Sequence, residues 1–153
     1  MIKNKINFLV FCILLISCDY SPYNHDYIEF DNDSNSLLYV QFNIENNPLY
    51  YNEYHIDKYC ILIESKERKK IGSSFMLGWE EFVASLPNKT VSFFISDTML
   101  YKCDMSNIET HILQRYDLSL KDLEFLDWEI SYPPSEKMKD MKMRPPYNPP
   151  YNE

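Results

Sequence analysis

Val91-Ser92-Phe93-Phe94-Ile95 is the stretch whose reading decides the fold. Aromatic and β-branched side chains suit a buried pleated surface, so this run is expected to be the central strand of a sheet. Just before it, Trp79, Phe82, Val83 and Leu86 recur at the spacing of one helix face, and Pro87 stops that helix. Asn88-Lys89 turns the chain from one element into the other. A helix running straight into a central strand sets the theme for the rest of the chain.

Working towards the N-terminus, Tyr59 to Ile63 reads as a buried strand, Glu64 to Lys70 as a charged turn, and Ile71 as the start of an edge strand. Ile28 and Phe30 alternate with polar neighbours, as do Leu38, Val40, Phe42 and Ile44. Asp31-Asn32-Asp33-Ser34-Asn35 between them is turn chemistry, which predicts an antiparallel hairpin. Working towards the C-terminus, Ser106-Asn107-Ile108-Glu109 is a capping box, and it predicts a helix carrying Ile108, Ile112 and Leu113. Ser119 with Asp122 caps a shorter helix bearing Leu120 and Leu123, and Trp128, Ile130 and Tyr132 alternate as a closing strand. The expected fold is α+β. An antiparallel β-sheet or small β-sandwich spanning residues 27–133 packs with two or three short helices.

Six of the nine prolines lie from Pro133 onward. Proline lacks a backbone donor and favours extended chain, so 134–153 is expected to be a disordered or polyproline-like tail. Lys137, Lys139, Lys142 and Arg144 make it mildly basic, with solvation as its default state.

At the other end, Lys3 and Lys5 precede an unbroken apolar run from Phe8 to Ile16, followed by Ser17 and Cys18. Nine apolar residues reach roughly 14 Å as a helix, well short of the ~30 Å hydrocarbon core. Residues 1–17 therefore read as a signal peptide rather than a span. Leu15-Ile16-Ser17-Cys18 resembles the lipobox of bacterial lipoproteins. The resemblance implies cleavage before Cys18, a diacylglycerated Cys18 sulfur and an acylated new amine. Two or three acyl chains hold a protein to a membrane firmly, since each buried methylene adds about 0.8 kcal/mol. Residues 18–26 are polar and turn-rich and form the expected tether.

Removing residues 1–17 takes away two cations, so the net charge goes from −8 to −10. A domain this acidic has no electrostatic reason to bind nucleic acid. Once Cys12 leaves with the signal and Cys18 is lipidated, Cys60 and Cys103 remain. They are either a disulfide pair or separate residues, Cys60 lying in an apolar run.

Candidate contacts are few. Tyr50, Tyr51 and Tyr54 crowd one loop and, with Trp79, are candidates to stack on a sugar or a partner; the plainer reading, and the favoured one, is a low-glycine loop pinned by amphipathic rings. Asp31, Asp33 and Asn35 match the first ligand positions of a calcium loop. Ser36 and Phe42 stand where that loop needs Gly and Glu, so no metal site is expected. With only two glycines the chain cannot build a glycine-rich phosphate loop, and it has no nucleophile elbow, zinc helix motif or C-x-x-C pair. His25, His55 and His111 are scattered, and no catalytic set or cofactor is expected.

Tyr116 to Leu123, the Trp128-Glu129-Ile130-Ser131-Tyr132-Pro133 ending and the early Ile28-Glu29-Phe30-Asp31 together resemble one group, small lipoproteins of gut Bacteroides-type bacteria. That group has no assigned activity and so no catalytic residues to carry over. Asp97-Thr98-Met99 looks like the O-glycosylation acceptor of Bacteroides-type secreted proteins, which makes Thr98 the candidate site. Only Asp19 is acidic directly after Cys18, a poor match to the acidic stretch that resembles a surface-export signal of such lipoproteins. The expectation is therefore a lipid-anchored envelope protein in the outer membrane facing the periplasm, with the cell surface as the alternative. Its expected role is a non-catalytic interaction or structural module with an envelope protein or glycan as partner. The alternative is a carbohydrate- or envelope-ligand-binding protein using the tyrosine loop.

Overall fold

A computed structural model describes residues 25–43, 60–73, 78–86, 88–100 and 108–148. Among them, the chain runs through β1 (Tyr27–Asn32), β2 (Leu38–Asn43), β3 (Cys60–Ile63), β4 (Arg68–Gly72), α1 (Trp79–Ser85) and β5 (Thr90–Ser96). It continues through β6 (Ile112–Ser119), α2 (Leu120–Phe125), β7 (Glu129–Tyr132) and β8 (Met143–Arg144). One sheet has the order β3-β2-β5-β6-β8 and the other β4-β1-β7. All strand pairs are antiparallel except β1 with β7. This is an α+β fold in which two sheets and two short helices share one core.

β5 is the middle strand of its sheet, as its composition predicts. Val91, Phe93 and Ile95 enter the main core, while Phe94 joins Leu100, Ile108 and Ile112 in a second cluster on the opposite face. α1 lays Trp79, Phe82 and Val83 onto the main core. The Trp79 ring lies 5.2 Å from Phe42, 5.5 Å from Phe82 and 5.9 Å from Phe93. Burying each such side chain contributes roughly 1.5–3 kcal/mol. α2 starts on the expected capping box, with Ser119 Oγ accepting from Asp122 N–H and Asp122 Oδ2 accepting from Ser119 N–H at 2.8 Å.

The predicted β1–β2 hairpin is not formed. β1 pairs with β4, β2 pairs with β3, and the 33–37 segment is an arch from one sheet to the other. The buried Asn32 amide drives this turn. Its Nδ2 donates to the carbonyls of Ser36 and Glu64, both at 2.8 Å, and its Oδ1 accepts from Ser34 N–H at 3.0 Å and Ser34 Oγ at 2.7 Å. A hairpin would leave that amide without its carbonyl partners in a buried site.

The helix expected after residue 106 is also absent from the described residues. Ile108–His111 is a single 3-10 turn, and Ile112 and Leu113 open β6. Ile95 pairs with Gln114 and Ser96 with Ile112, so Leu113 is an extra residue in the ladder. That bulge sends Ile112 to the small cluster and Leu113 to the main core, and the 108-112-113 spacing imitates a helix face.

Two boundaries move outward. Residues 134–148 are not a loose tail: a 3-10 turn spans Glu136–Met138, β8 pairs with β6, and Met138 and Met143 are buried in the main core. Apolar thioethers between the prolines provide the burial that proline content alone did not suggest. At the other end, His25 is no longer tether. Its carbonyl accepts from Trp79 N–H at 2.9 Å, and its ring stacks on Trp128 at 4.1 Å.

Replacing Asn32 with Leu is expected to cost about 3 kcal/mol, because buried carbonyls lose their donor. Replacing it with Asp should cost more at pH 7 than near pH 3. A carboxyl among carbonyls has a raised folded pKa, so the stability it retains when protonated is lost as pH rises through that value. Urea melts of both variants at the two pH values check this.

Candidate functional site

The period of two along β1 turns Ile28, Phe30 and Asn32 inward and leaves Glu29 and Asp31 on the outer face of the small sheet. Antiparallel pairing sets Glu29 opposite Lys70 and Asp31 opposite Arg68. Parallel pairing sets Glu29 opposite Glu129, a like-charge contact that destabilises a ladder. Arg68 offsets it by reaching across all three strands. Its guanidinium lies 3.0 Å from Asp31 Oδ2, 3.3 Å from Glu129 Oε1 and 3.5 Å from Glu29 Oε2. The hydrogen bond that Arg68 donates to Asp31 and the surrounding carboxylates raise the Arg68 pKa further. Lys70 Nζ sits 3.7 Å above the Tyr27 ring and 3.7 Å from Glu29 Oε1. A side-chain hydrogen bond with Tyr27 is the main cause of its raised pKa.

Three shallow depressions border this face. One, of about 540 Å³, is lined by Asp31, Asp33, Asn35, Lys66, Ser131 and Ser135, with two prolines. A second, of about 400 Å³, lies between β7 and the 136–138 turn. The third, of about 380 Å³, is lined by acidic residues together with His25, Tyr27 and Trp128. His25 is fixed there by Glu80, whose carboxylate accepts from the His25 backbone N–H at 2.8 Å and lies 2.6 Å from Nδ1.

Trp79, expected as a ligand contact, is a core residue with no exposed surface, and its Nε1 donates to the Ile71 carbonyl at 3.1 Å. The helical spacing that put it on an apolar face carries the explanation. Cys18, Tyr50, Tyr51, Tyr54, His55 and Cys103 lie outside the described residues. Cys60 is half-buried at the start of β3, opposite Gln41. Thr98 is half-buried in the bend after β5, and its carbonyl accepts from Ser96 Oγ at 2.8 Å. Asp31 and Asp33, the partial calcium-loop match, are engaged by Arg68 and Lys66. Among the described residues no group of three or more His, Cys, Asp or Glu is arranged to hold a metal. His111 Nδ1 lies 3.0 Å from Asp97 Oδ1, joining the 3-10 turn to the bend after β5.

Sequence reasoning passed over a buried carboxylate. Asp117 accepts from Ser92 Oγ at 2.6 Å and Arg115 Nε at 2.7 Å and pairs with Lys142 Nζ at 3.1 Å. Burial pushes its pKa up, but the three partners outweigh burial and hold it below the ordinary aspartate range. The carboxylate is an anchor between β5, β6 and the C-terminal segment. Gln41, also fully buried, finds no partner for either side-chain polar atom among the described residues.

Compared with known proteins, the chain matches no family model, no curated protein and no solved structure.

A depressed folded pKa means that Asp117 stabilises the fold above the unfolded value, roughly 4, and that this is lost as pH falls through the folded value. Asp117→Asn should therefore flatten the acid limb of the stability profile below about pH 4 and cost roughly 1–3 kcal/mol at pH 7. Chemical denaturation from pH 2 to pH 7 measures both effects.

Proposed function

We propose that the chain is a lipid-anchored cell-envelope protein whose folded domain is a non-catalytic interaction module. One observation carries the reading: the small sheet presents an open mixed-charge face, with Arg68 spanning Glu29, Asp31 and Glu129 between shallow depressions. Rows of paired charges on an open sheet face give orientation and partner choice more than raw affinity. The lipobox-like Leu15-Ile16-Ser17-Cys18 supplies the tether, and His25, held by Glu80 and stacked on Trp128, is the first described residue fixed to the domain. Among the described residues no helix is long and apolar enough to cross a membrane. In this reading attachment rests on acyl chains at Cys18, with the outer membrane facing the periplasm as the location.

A second reading is favoured by the 540 Å³ depression. Its carboxylates, amide, ammonium and hydroxyls suit a hydroxyl-rich ligand such as an envelope glycan, without the tyrosine loop. Calorimetric titration with soluble oligosaccharides separates the two readings, since saturable heat abolished by Ser135→Trp would favour the glycan.

Cys18→Ser is expected to move the protein from the membrane fraction to the soluble fraction. Continued membrane association would reject the anchor. A photo-crosslinking residue at Lys70 should yield a discrete adduct in intact cells, while one at the exposed Phe125 on α2 should not. Equal labelling at the two positions would remove the face from the proposal.

A further inference from the structure

The C-terminal segment is held to the domain by sulfur. Met138 is fully buried, Met143 nearly so and Met141 half-buried, and all three pack against the main core. Three of the chain's seven methionines thus fall within six residues. Backbone pairing adds little, since the β6–β8 ladder joins only Arg115 with Arg144 and Tyr116 with Met143. The first of those pairs places two arginines opposite each other, which weakens a ladder. Tyr147 also packs against the main core, and polar grips include Asp117 N–H to the Lys142 carbonyl at 2.9 Å, Lys142 Nζ to Asp117, Gln114 Nε2 to the Pro145 carbonyl at 2.7 Å and Ser131 Oγ to the Met138 sulfur at 3.7 Å. Leucine would bury similar area at these positions with no oxidisable atom.

We propose that Met138, Met141 and Met143 form a peroxide-responsive latch that releases this strap from β6. A lone pair on the Met141 sulfur attacks one oxygen of hydrogen peroxide, an S–O bond forms as the O–O bond breaks, and the proton on the attacked oxygen passes to the second oxygen, which leaves as water. The sulfur is oxidised by two electrons to the sulfoxide, and the peroxide is reduced. A sulfoxide is polar and loses free energy where Met141 and Met143 pack against apolar neighbours; the Met138 sulfur differs, since it already accepts from Ser131 Oγ at 3.7 Å. Half-buried Met141 reacts first and Met143 follows as the strap loosens. Met138, with no exposed surface, reacts only from the open strap. The sheet survives the release because Asp117 keeps Ser92 and Arg115 after Lys142 departs. Opening is thus local, and it bares the β6 edge at Arg115 and Asp117.

The test treats the full chain with graded hydrogen peroxide and follows sulfoxides by peptide mass spectrometry and amide exchange in parallel. Met141 sulfoxide should come first. Exchange in residues 138–145 should then rise about tenfold or more while β2 and β5 stay protected, with Met138 oxidising last. In Met141→Leu/Met143→Leu, or Met141→Leu alone, the same dose should leave strap exchange at its untreated level and slow Met138 oxidation about tenfold. Sulfoxide at Met99 reports that the oxidant dose was equal. Unchanged strap exchange at full Met141 sulfoxidation would overturn the latch, as would Met138 oxidising in step with Met141.

Discussion

The side-chain amide of Asn32 sits at the corner where the chain leaves one sheet for the other. Its donor group spans carbonyls from the arch and from the β3–β4 turn, while its carbonyl holds Ser34. Backbone bonds reinforce the corner, with Asn32 N–H reaching the Glu67 carbonyl and Asp33 N–H the Tyr132 carbonyl. The side-chain bonds of Asn32 lie in buried or partly buried sites, where an unmet donor or acceptor costs more than a bond gains. The corner carries the chain between the two sheets, and Ile28, Phe30, Ile71 and Ile130 from the small sheet meet Val40, Phe42, Phe93 and Tyr116 from the large one in a single core.

The same corner determines where charge is displayed. With the apolar side of β1 committed to the core, Glu29 and Asp31 must face solvent, and pairing with β4 brings Arg68 and Lys70 beside them. β7 then enters parallel to β1 and adds Glu129, a neighbour that only a long cation can reconcile with Glu29. Such exposed pairs contribute little to stability. Their orientation is nonetheless set by the strands beneath them, which is what a recognition surface requires.

Elements governed by local rules were legible in the residues. The apolar stripe of α1, the β-branched and aromatic content of β5, the Ser119–Asp122 box of α2 and the alternation at β7 all depend on neighbours within a few positions. Long-range pairing was not legible. Asp31 to Asn35 has good turn chemistry for a hairpin, and nothing within that stretch says that Asn32 is instead spent on carbonyls of Ser36 and Glu64. The bulge at Leu113 gave a strand a helix-like pattern, and the prolines after Tyr132 masked three methionines that pack a largely exposed segment onto the core. The charged face was half visible: Glu29 and Asp31 alternate with Ile28 and Phe30, whereas Arg68-Lys69-Lys70 is an unbroken cationic run that reads as a turn, and only register places it in β4 beside them. Trp79 could have been excluded as a contact, because the spacing that placed it on a helix also placed it on the buried side.

If the corner makes one folding unit of two sheets, their most protected amides must open together. Native-state hydrogen exchange at increasing denaturant measures this directly. Phe30 and Ile130 in the small sheet and Phe93 and Ile95 in the large one are predicted to converge on one opening free energy with one denaturant dependence. A small sheet that opens at a distinctly lower free energy while β5 stays protected would contradict the account.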